Sequence, residues 1–122
     1  MMKKIVLFSS AIIFLLACKT KKESIGVVAE PKSTYLPAGP QITAAEKRWP
    51  GTTATDLQTG NSIYTTKCTR CHGNFEVIQF SEKKWLHEID DMSVKANLSQ
   101  DEKDKLTRYI LSLRDTRTVS AQ

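Results

Sequence analysis

Three stretches of the chain place apolar residues at the spacing of three and four that is typical of an amphipathic helix. All three follow Pro50. The first runs from about Thr55 to Cys68, and the residues at this spacing are Leu57, Gly60, Ile63, Tyr64 and Lys67. Its interior contains Gly60, which costs a helix about 1 kcal/mol and therefore indicates a close approach by another helix. No stretch alternates apolar and polar residues as a strand does. The sequence therefore predicts an all-α fold, a small helical domain.

The second and third stretches begin at good N-cap residues. The second follows Ser81. Its apolar stripe consists of Trp85, Ile89 and Met92. The third follows Ser99, which can form a capping box with Glu102 three residues later. Its apolar face consists of Leu106, Tyr109, Ile110 and Leu113.

The N-terminus has the pattern of an export signal. Lys3 and Lys4 precede an apolar run of thirteen residues, Ile5 to Ala17. A membrane-spanning helix needs about 20 apolar residues, so this run is too short to cross a bilayer comfortably. Cys18 follows directly, and "LLAC" resembles the lipobox of bacterial lipoproteins. The resemblance implies cleavage before Cys18 and lipidation of that cysteine, and an uncleaved signal anchor is the alternative.

The segment between this run and Pro50 differs in composition from the rest of the chain. It carries all four prolines and shows no sustained periodicity, which is typical of an extended or disordered linker. We therefore predict a signal peptide over residues 1–17, a lipidated and flexible tether over 18–50, a folded domain over 51–118 and a disordered tail over 119–122.

The charge of the processed chain narrows the choice of partners. Loss of Lys3 and Lys4 with the signal leaves 16 of the 18 basic residues against 13 acidic ones, a formal +3. This charge is too mild to indicate nucleic-acid binding.

Two or more acyl chains give stable membrane attachment. We expect a lipid anchor in the inner or outer membrane of a bacterial envelope, with the domain in the periplasm.

The pentad "CTRCH" carries the most specific chemistry in the chain. Cys68, Cys71 and His72 match the C-x-x-C-H signature of covalent haem attachment. Two thiols separated by two residues at a helical turn can reach both vinyl groups of one porphyrin. The histidine then becomes the proximal ligand of the iron. The pentad therefore predicts one covalent haem c per chain, with thioether bonds from Cys68 and Cys71.

Two other readings of the two thiols remain open. A zinc site needs four ligands, and the processed domain offers only two cysteines and two histidines, of which Cys71 and His72 are adjacent. A redox pair or a plain disulfide between Cys68 and Cys71 is the other reading, although the βαβ context of a thioredoxin-like site is absent.

Two longer segments resemble the class I cytochrome c family. "DLQTGNSIYTTKCTRCHG" is similar to the family's first helix and haem-attachment site, and "ANLSQDEKDKLTRYILSL" is similar to its last helix. The resemblance covers about Thr55 to Leu113. It implies a helical domain wrapped around the haem, in which the first and last helices cross closely. Gly60 would then lie against Tyr109 or Leu113.

The resemblance also implies a methionine as the second axial ligand of the iron. Met92 is the only methionine left after signal removal, and it precedes the last helix as in the family. His87 is the rival ligand, but helical spacing places it on the face opposite Trp85. Val77, Ile78 and Phe80 would line the haem edge, or they could equally be ordinary core residues.

These expectations point to electron transfer and not to catalysis. An iron with two axial ligands offers no open position for substrate. No second haem motif, nucleophile with a base, or dinucleotide-binding loop is present, so we expect no enzymatic activity. The partners would be a redox donor and acceptor, such as respiratory complexes or a haem-dependent reductase. The alternative is a gas-binding or sensor lipoprotein whose sixth ligand is open or displaceable.

Overall fold

The structure, a computed structural model, describes residues 34–71 and 73–119. Within these ranges the chain forms four α-helices and one short 3₁₀ segment, and no strand is present. The helices are α1 (Gly39–Arg48), α2 (Ala54–Thr66), α3 (Glu82–Lys95) and α4 (Gln100–Val119), and the 3₁₀ segment is Cys68–Arg70. The prediction of an all-α fold is confirmed for the described part of the chain.

The predicted helix starts are confirmed by their hydrogen bonds. The Ser81 hydroxyl accepts from the Lys84 N–H at 3.2 Å at the start of α3. At the start of α4, the Ser99 hydroxyl accepts from the Glu102 N–H at 3.2 Å, and the Glu102 carboxylate accepts from the Ser99 N–H at 2.9 Å. Each bond satisfies an N–H that has no partner within the helix. Short local signals thus determine where α3 and α4 begin.

The core forms where α4 packs against α2 and α3. It is a cluster of buried apolar side chains in which Ile63 and Tyr64 come from α2, Trp85 and Ile89 from α3, and most others from α4. Leu106, Tyr109 and Ile110 are buried as predicted, whereas Leu113 is only partly buried. The amphipathic patterns therefore identified the core faces of all three helices.

The crossing of α2 and α4 depends on Gly60. A Cβ atom at this position would lie 2.5 Å from the Tyr109 Cβ and closer still to the Lys105 carbonyl oxygen. The predicted approach of the two helices at Gly60 is confirmed, with Tyr109 and not Leu113 as the neighbour.

Helix α1 corrects the expectation that residues 18–50 form an extended or disordered tether. The segment Gly39–Arg48 is helical because its prolines bracket the helix and do not interrupt it. Pro40 lies in the first turn, where the missing N–H is not needed, and Pro50 comes after the last residue. The tether prediction is therefore wrong for residues 39–48.

Several contacts hold α1 on the rest of the domain. The buried side-chain amide of Gln41 donates to the Tyr109 carbonyl oxygen at 3.3 Å and to the Ser112 hydroxyl at 3.2 Å. The Arg48 guanidinium pairs with Glu82 at 2.5 Å and with Asp115 at 3.0 Å, and so joins α1 to both α3 and α4. This packing explains why Ser112 is fully buried, outside the predicted apolar face of α4.

The remaining predictions on chain organisation fall largely outside the described residues. These are the signal peptide over residues 1–17, the lipidated Cys18 and the tail from residue 120 onward. Val119, the first residue of the predicted tail, is still helical. Among the described helices, none combines the length and hydropathy that crossing a membrane requires.

Candidate functional site

A cavity of about 260 Å³ opens beside the first cysteine of the pentad, between α2, α3, α4 and the loop 73–80. Its walls are largely apolar and aromatic. The lining residues are Tyr64, Cys68, Thr69, Gly73, Phe75, Phe80, Lys84, Trp85, Glu88, Ile89, Met92, Leu106 and Ile110. The cavity therefore brings together two of the site residues predicted from the sequence, Cys68 and Met92.

The end of α2 places the first thiol of the pentad at the cavity. Cys68 follows Tyr64 by four residues, so both lie on one side of the helical turn, which continues as the 3₁₀ segment. The Thr69 hydroxyl donates to the Thr65 carbonyl oxygen at 2.6 Å and holds this turn. Burial raises the pKa of the Cys68 thiol, opposed by nearby Lys67, and so favours the neutral thiol.

The second thiol of the pentad has a different environment. Cys71 is exposed and does not line the cavity, whereas Cys68 is half-buried. The two sulfurs are not joined by a disulfide. Since His72 lies outside the described residues, its role as proximal iron ligand stays a prediction.

The two proposed distal ligands lie on different sides of α3. Met92 lines the cavity beside Ile89 and Trp85, as the apolar stripe predicted. The His87 side chain is 66% exposed, and its Nε2 lies 3.8 Å from the Asp91 carboxylate. Of the two side chains, only that of Met92 lines the cavity.

The zinc reading gains no support from the described part of the chain. No three side chains of histidine, cysteine, aspartate or glutamate come together there as a group that could hold a metal ion. His87 and the two cysteines therefore do not form such a group with one another.

The loop 73–80 forms one wall of the cavity and differs in part from the expectation. Phe80 lines the cavity and Val77 is buried in the core, which was the alternative for these residues, whereas Ile78 is half exposed and does neither. The Phe80 ring contacts the Phe75 and Trp85 rings, each with a centroid separation of 5.3 Å. The wall is thus an aromatic cluster that joins the loop to α3.

Two charged side chains lie among the lining residues of the cavity. The Lys84 ammonium and the Glu88 carboxylate pair at 2.5 Å, one turn apart on α3. The hydrogen bond from Lys84 lowers the pKa of Glu88. Lys84 and Glu88 are not among the predicted site residues, although their i, i+4 spacing is the usual sequence signal for such a contact.

The residues around the cavity fit the chemistry of the predicted haem. Apolar and aromatic walls suit a flat macrocycle of low polarity. The Cys68 thiol could provide one of the two thioether positions, and the thioether of Met92 is a soft ligand of the kind that haem iron accepts. The sulfur donors and the apolar lining of the cavity are thus both compatible with a haem.

Comparisons of the chain with protein-family models, with curated proteins and with solved structures gave no match. Any assignment of function therefore rests on the residues themselves and on the geometry of the cavity.

Proposed function

We propose that the protein is a membrane-tethered monohaem c-type cytochrome that carries single electrons between redox partners at a bacterial membrane. One observation carries the proposal: Cys68 of the C-x-x-C-H pentad and Met92 line the same apolar cavity. An apolar cavity beside a haem-attachment motif is suited to bind the haem, because a buried macrocycle needs apolar walls and axial ligands.

In this proposal each site residue has a defined role. Cys68 and Cys71 would form the thioether bonds, His72 would be the proximal iron ligand and Met92 the distal one. The haem supplies the one-electron couple when bound. The chain's own aromatic wall would shield the bound haem from water, and Met92 would leave no open position for a substrate.

The rest of the chain supports a carrier that works close to a membrane. A lipid on Cys18 would keep the domain in the periplasm at the inner or outer membrane. The residues between Cys18 and Thr34 would act as the tether and raise the effective concentration of the domain near its partners. Donor and acceptor would be redox proteins that make small, transient contacts.

The visible spectrum of the purified protein tests the proposal. We expect the bands of a c-type haem in the oxidised and reduced states, and haem that stays with the chain after denaturation. Haem that is absent from the purified protein, or that is released on denaturation, would contradict the proposal. Thiols that are free or joined in a disulfide would then favour an interaction lipoprotein.

Two matched variants test the distal ligand. Met92→Leu should abolish the weak sulfur-to-iron band and allow rapid binding of carbon monoxide to the ferrous protein. His87→Asn should change neither, because that side chain is exposed and lies away from the cavity. Rapid carbon monoxide binding by the unmodified protein at neutral pH would instead favour the gas-binding sensor.

A further inference from the structure

The loop 73–80 connects the pentad to α3 and is anchored to the domain by side chains from three helices. The Tyr64 hydroxyl of α2 bonds the backbone of Phe75, and the Trp85 Nε1 of α3 donates to the Val77 carbonyl oxygen at 2.7 Å. From α4, the Arg114 Nε donates to the Phe80 carbonyl oxygen at 3.2 Å. Loop backbone that lies in no regular element thus gains defined partners.

Tyr64 holds the end of this loop that is nearest to the thiols. Its hydroxyl accepts from the Phe75 N–H at 2.9 Å and donates to the Phe75 carbonyl oxygen at 2.8 Å. Phe75 follows Cys71 by four residues, and Tyr64 precedes Cys68 by four. One hydroxyl group therefore ties the chain just after the pentad to the helix just before it.

The state of the Tyr64 phenol suits this role. Burial raises its pKa, so the hydroxyl keeps the proton that it donates to Phe75. The Tyr64 ring itself lines the cavity, as does Phe75. The hydrogen bonds thus fix the distance between two pieces of the cavity wall.

No proline ring stiffens this loop. No proline follows Pro50, so no residue between the pentad and α3 has its φ angle fixed by a ring. A pair of hydrogen bonds from a buried side chain can replace that restraint, because both the donor and the acceptor of one residue's backbone are engaged.

We propose that Tyr64 is a positioning residue for the haem of the proposed function, on which this inference rests. Its hydroxyl clamps the loop 73–80 against α2, keeps water out of the cavity and so raises the reduction potential. Water stabilises the more highly charged oxidised iron, and the apolar shell around a redox centre is a main determinant of its potential.

The test compares Tyr64→Phe with Tyr109→Phe in the full haem-loaded protein. Both changes remove one buried phenol hydroxyl and keep the ring. The Tyr109 hydroxyl accepts from the Asn61 side-chain amide at 2.9 Å, and Tyr109 does not line the cavity. The two variants should therefore lose similar stability, and only one should affect the cavity wall.

For Tyr64→Phe we expect the backbone amide of Phe75 to exchange with solvent about tenfold faster, the effect of losing one hydrogen bond. The reduction potential should fall below that of the unmodified protein. In Tyr109→Phe, the potential and the exchange of the Phe75 amide should both stay at the unmodified values.

Other results would overturn the inference. Equal potentials and equal Phe75 exchange in the two variants would show that Tyr64 contributes only to packing. Absence of covalent haem from the unmodified protein would overturn the proposed function and this inference together, whereas haem that is present with an unchanged potential in Tyr64→Phe overturns this inference alone.

Discussion

Gly60 shows how a single residue determines the spacing of two helices. A hydrogen in place of a side chain lets the backbone of α2 lie directly on the Lys105 carbonyl and the Tyr109 Cβ of α4. Because the obstacle to a larger residue is partly backbone, it cannot move aside as the end of a flexible side chain could.

Replacing Gly60 by alanine should therefore destabilise the protein. Alanine favours a helix interior by about 1 kcal/mol, but overpacking at a rigid contact costs about 1–3 kcal/mol or more. We expect a lower midpoint of urea unfolding. Gly39→Ala is the matched control, because nothing lies within 4 Å of a Cβ there. Equal midpoints for the two variants would contradict the close-packing explanation.

The sequence predicted some residues of the candidate site and could not predict others. Cys68 was predicted from its motif, and Met92 from the family resemblance together with its place on the apolar stripe, and both line the cavity. The hydroxyl of Tyr64 was beyond prediction, because its partner Phe75 is determined by the path of an irregular loop. Helical periodicity predicts the face of α2 on which Tyr64 lies, but it gives no information on the path of a loop backbone.

The positions at which the helices begin depend on neighbouring residues in the sequence, whereas the packing of the helices depends on residues that are distant in the sequence. Ser81 and Ser99 were identified as caps because an N-cap hydroxyl needs only the next three residues to act. Helix α1 was missed because its buried residues, Gln41 and Ala45, are polar or small and leave no apolar stripe. Gln41 is buried only because the backbone and side chains of α4 bond its amide, which is tertiary information.

The C-terminal end of α3 offers a test of local backbone geometry. Asn97 has a φ angle of 51°, and the helix closes with bonds from the Leu98 N–H to the Ser93 carbonyl oxygen and from the Asn97 N–H to the Val94 carbonyl oxygen. This is the Schellman arrangement, in which the residue after the helix adopts a left-handed conformation.

Asn97→Ala should destabilise the protein by about 1 kcal/mol, because a Cβ without a compensating polar group is strained in that conformation. Asn97→Gly should be neutral or slightly stabilising, since glycine adopts positive φ freely. Thermal unfolding of both variants checks this. A loss in Asn97→Gly as large as that in Asn97→Ala would indicate that the asparagine side chain, and not the backbone, is what matters.

For the whole molecule, α1 moves the start of the folded unit toward the N-terminus. Tyr35 and Trp49, on either side of α1, pack against the core, and Gln41 is buried against α4. The composition of the segment could not reveal this, because proline content alone does not distinguish a linker from a helix that prolines delimit.

Two truncated proteins separate these possibilities. A chain that begins at Thr34 keeps all the described residues and is the reference. A chain that begins at Gly51 should lose roughly 2–4 kcal/mol, because apolar contacts of Tyr35 and Trp49 and the buried hydrogen bonds of Gln41 are removed. Equal stability of the two truncated proteins would indicate that residues 34–50 belong to the tether and not to the folded domain.

The pH range over which the protein is stable follows from groups in different parts of the fold. Hydrogen bonds from Lys67 and from the Ser99 backbone lower the pKa of Glu102 from its ordinary 4.5. Burial raises the pKa of Tyr109 above its ordinary 10.0. A lowered acid pKa adds stability above the ordinary value that is lost as the pH falls through the folded-state pKa. A raised phenol pKa adds stability that is fully present below the ordinary value. This stability is lost as the pH rises through the folded-state pKa.

The free energy of unfolding should therefore be greatest between about pH 5 and pH 9, a range set by those two ordinary pKa values, and fall on either side. Glu102→Gln should make the acid limb shallower and leave the alkaline limb unchanged, and the lowered pKa of Glu88 should keep part of the acid limb. Tyr109→Phe should make the alkaline limb shallower and leave the acid limb unchanged, and the raised pKa values of Tyr35 and Tyr64 should keep part of the alkaline limb. Urea unfolding across this pH range measures both limbs. Glu102 joins the start of α4 to the end of α2, and Tyr109 lies at the Gly60 crossing of the same two helices. If each substitution changes only its own limb of the pH profile, these two contacts contribute separately to the free energy of unfolding.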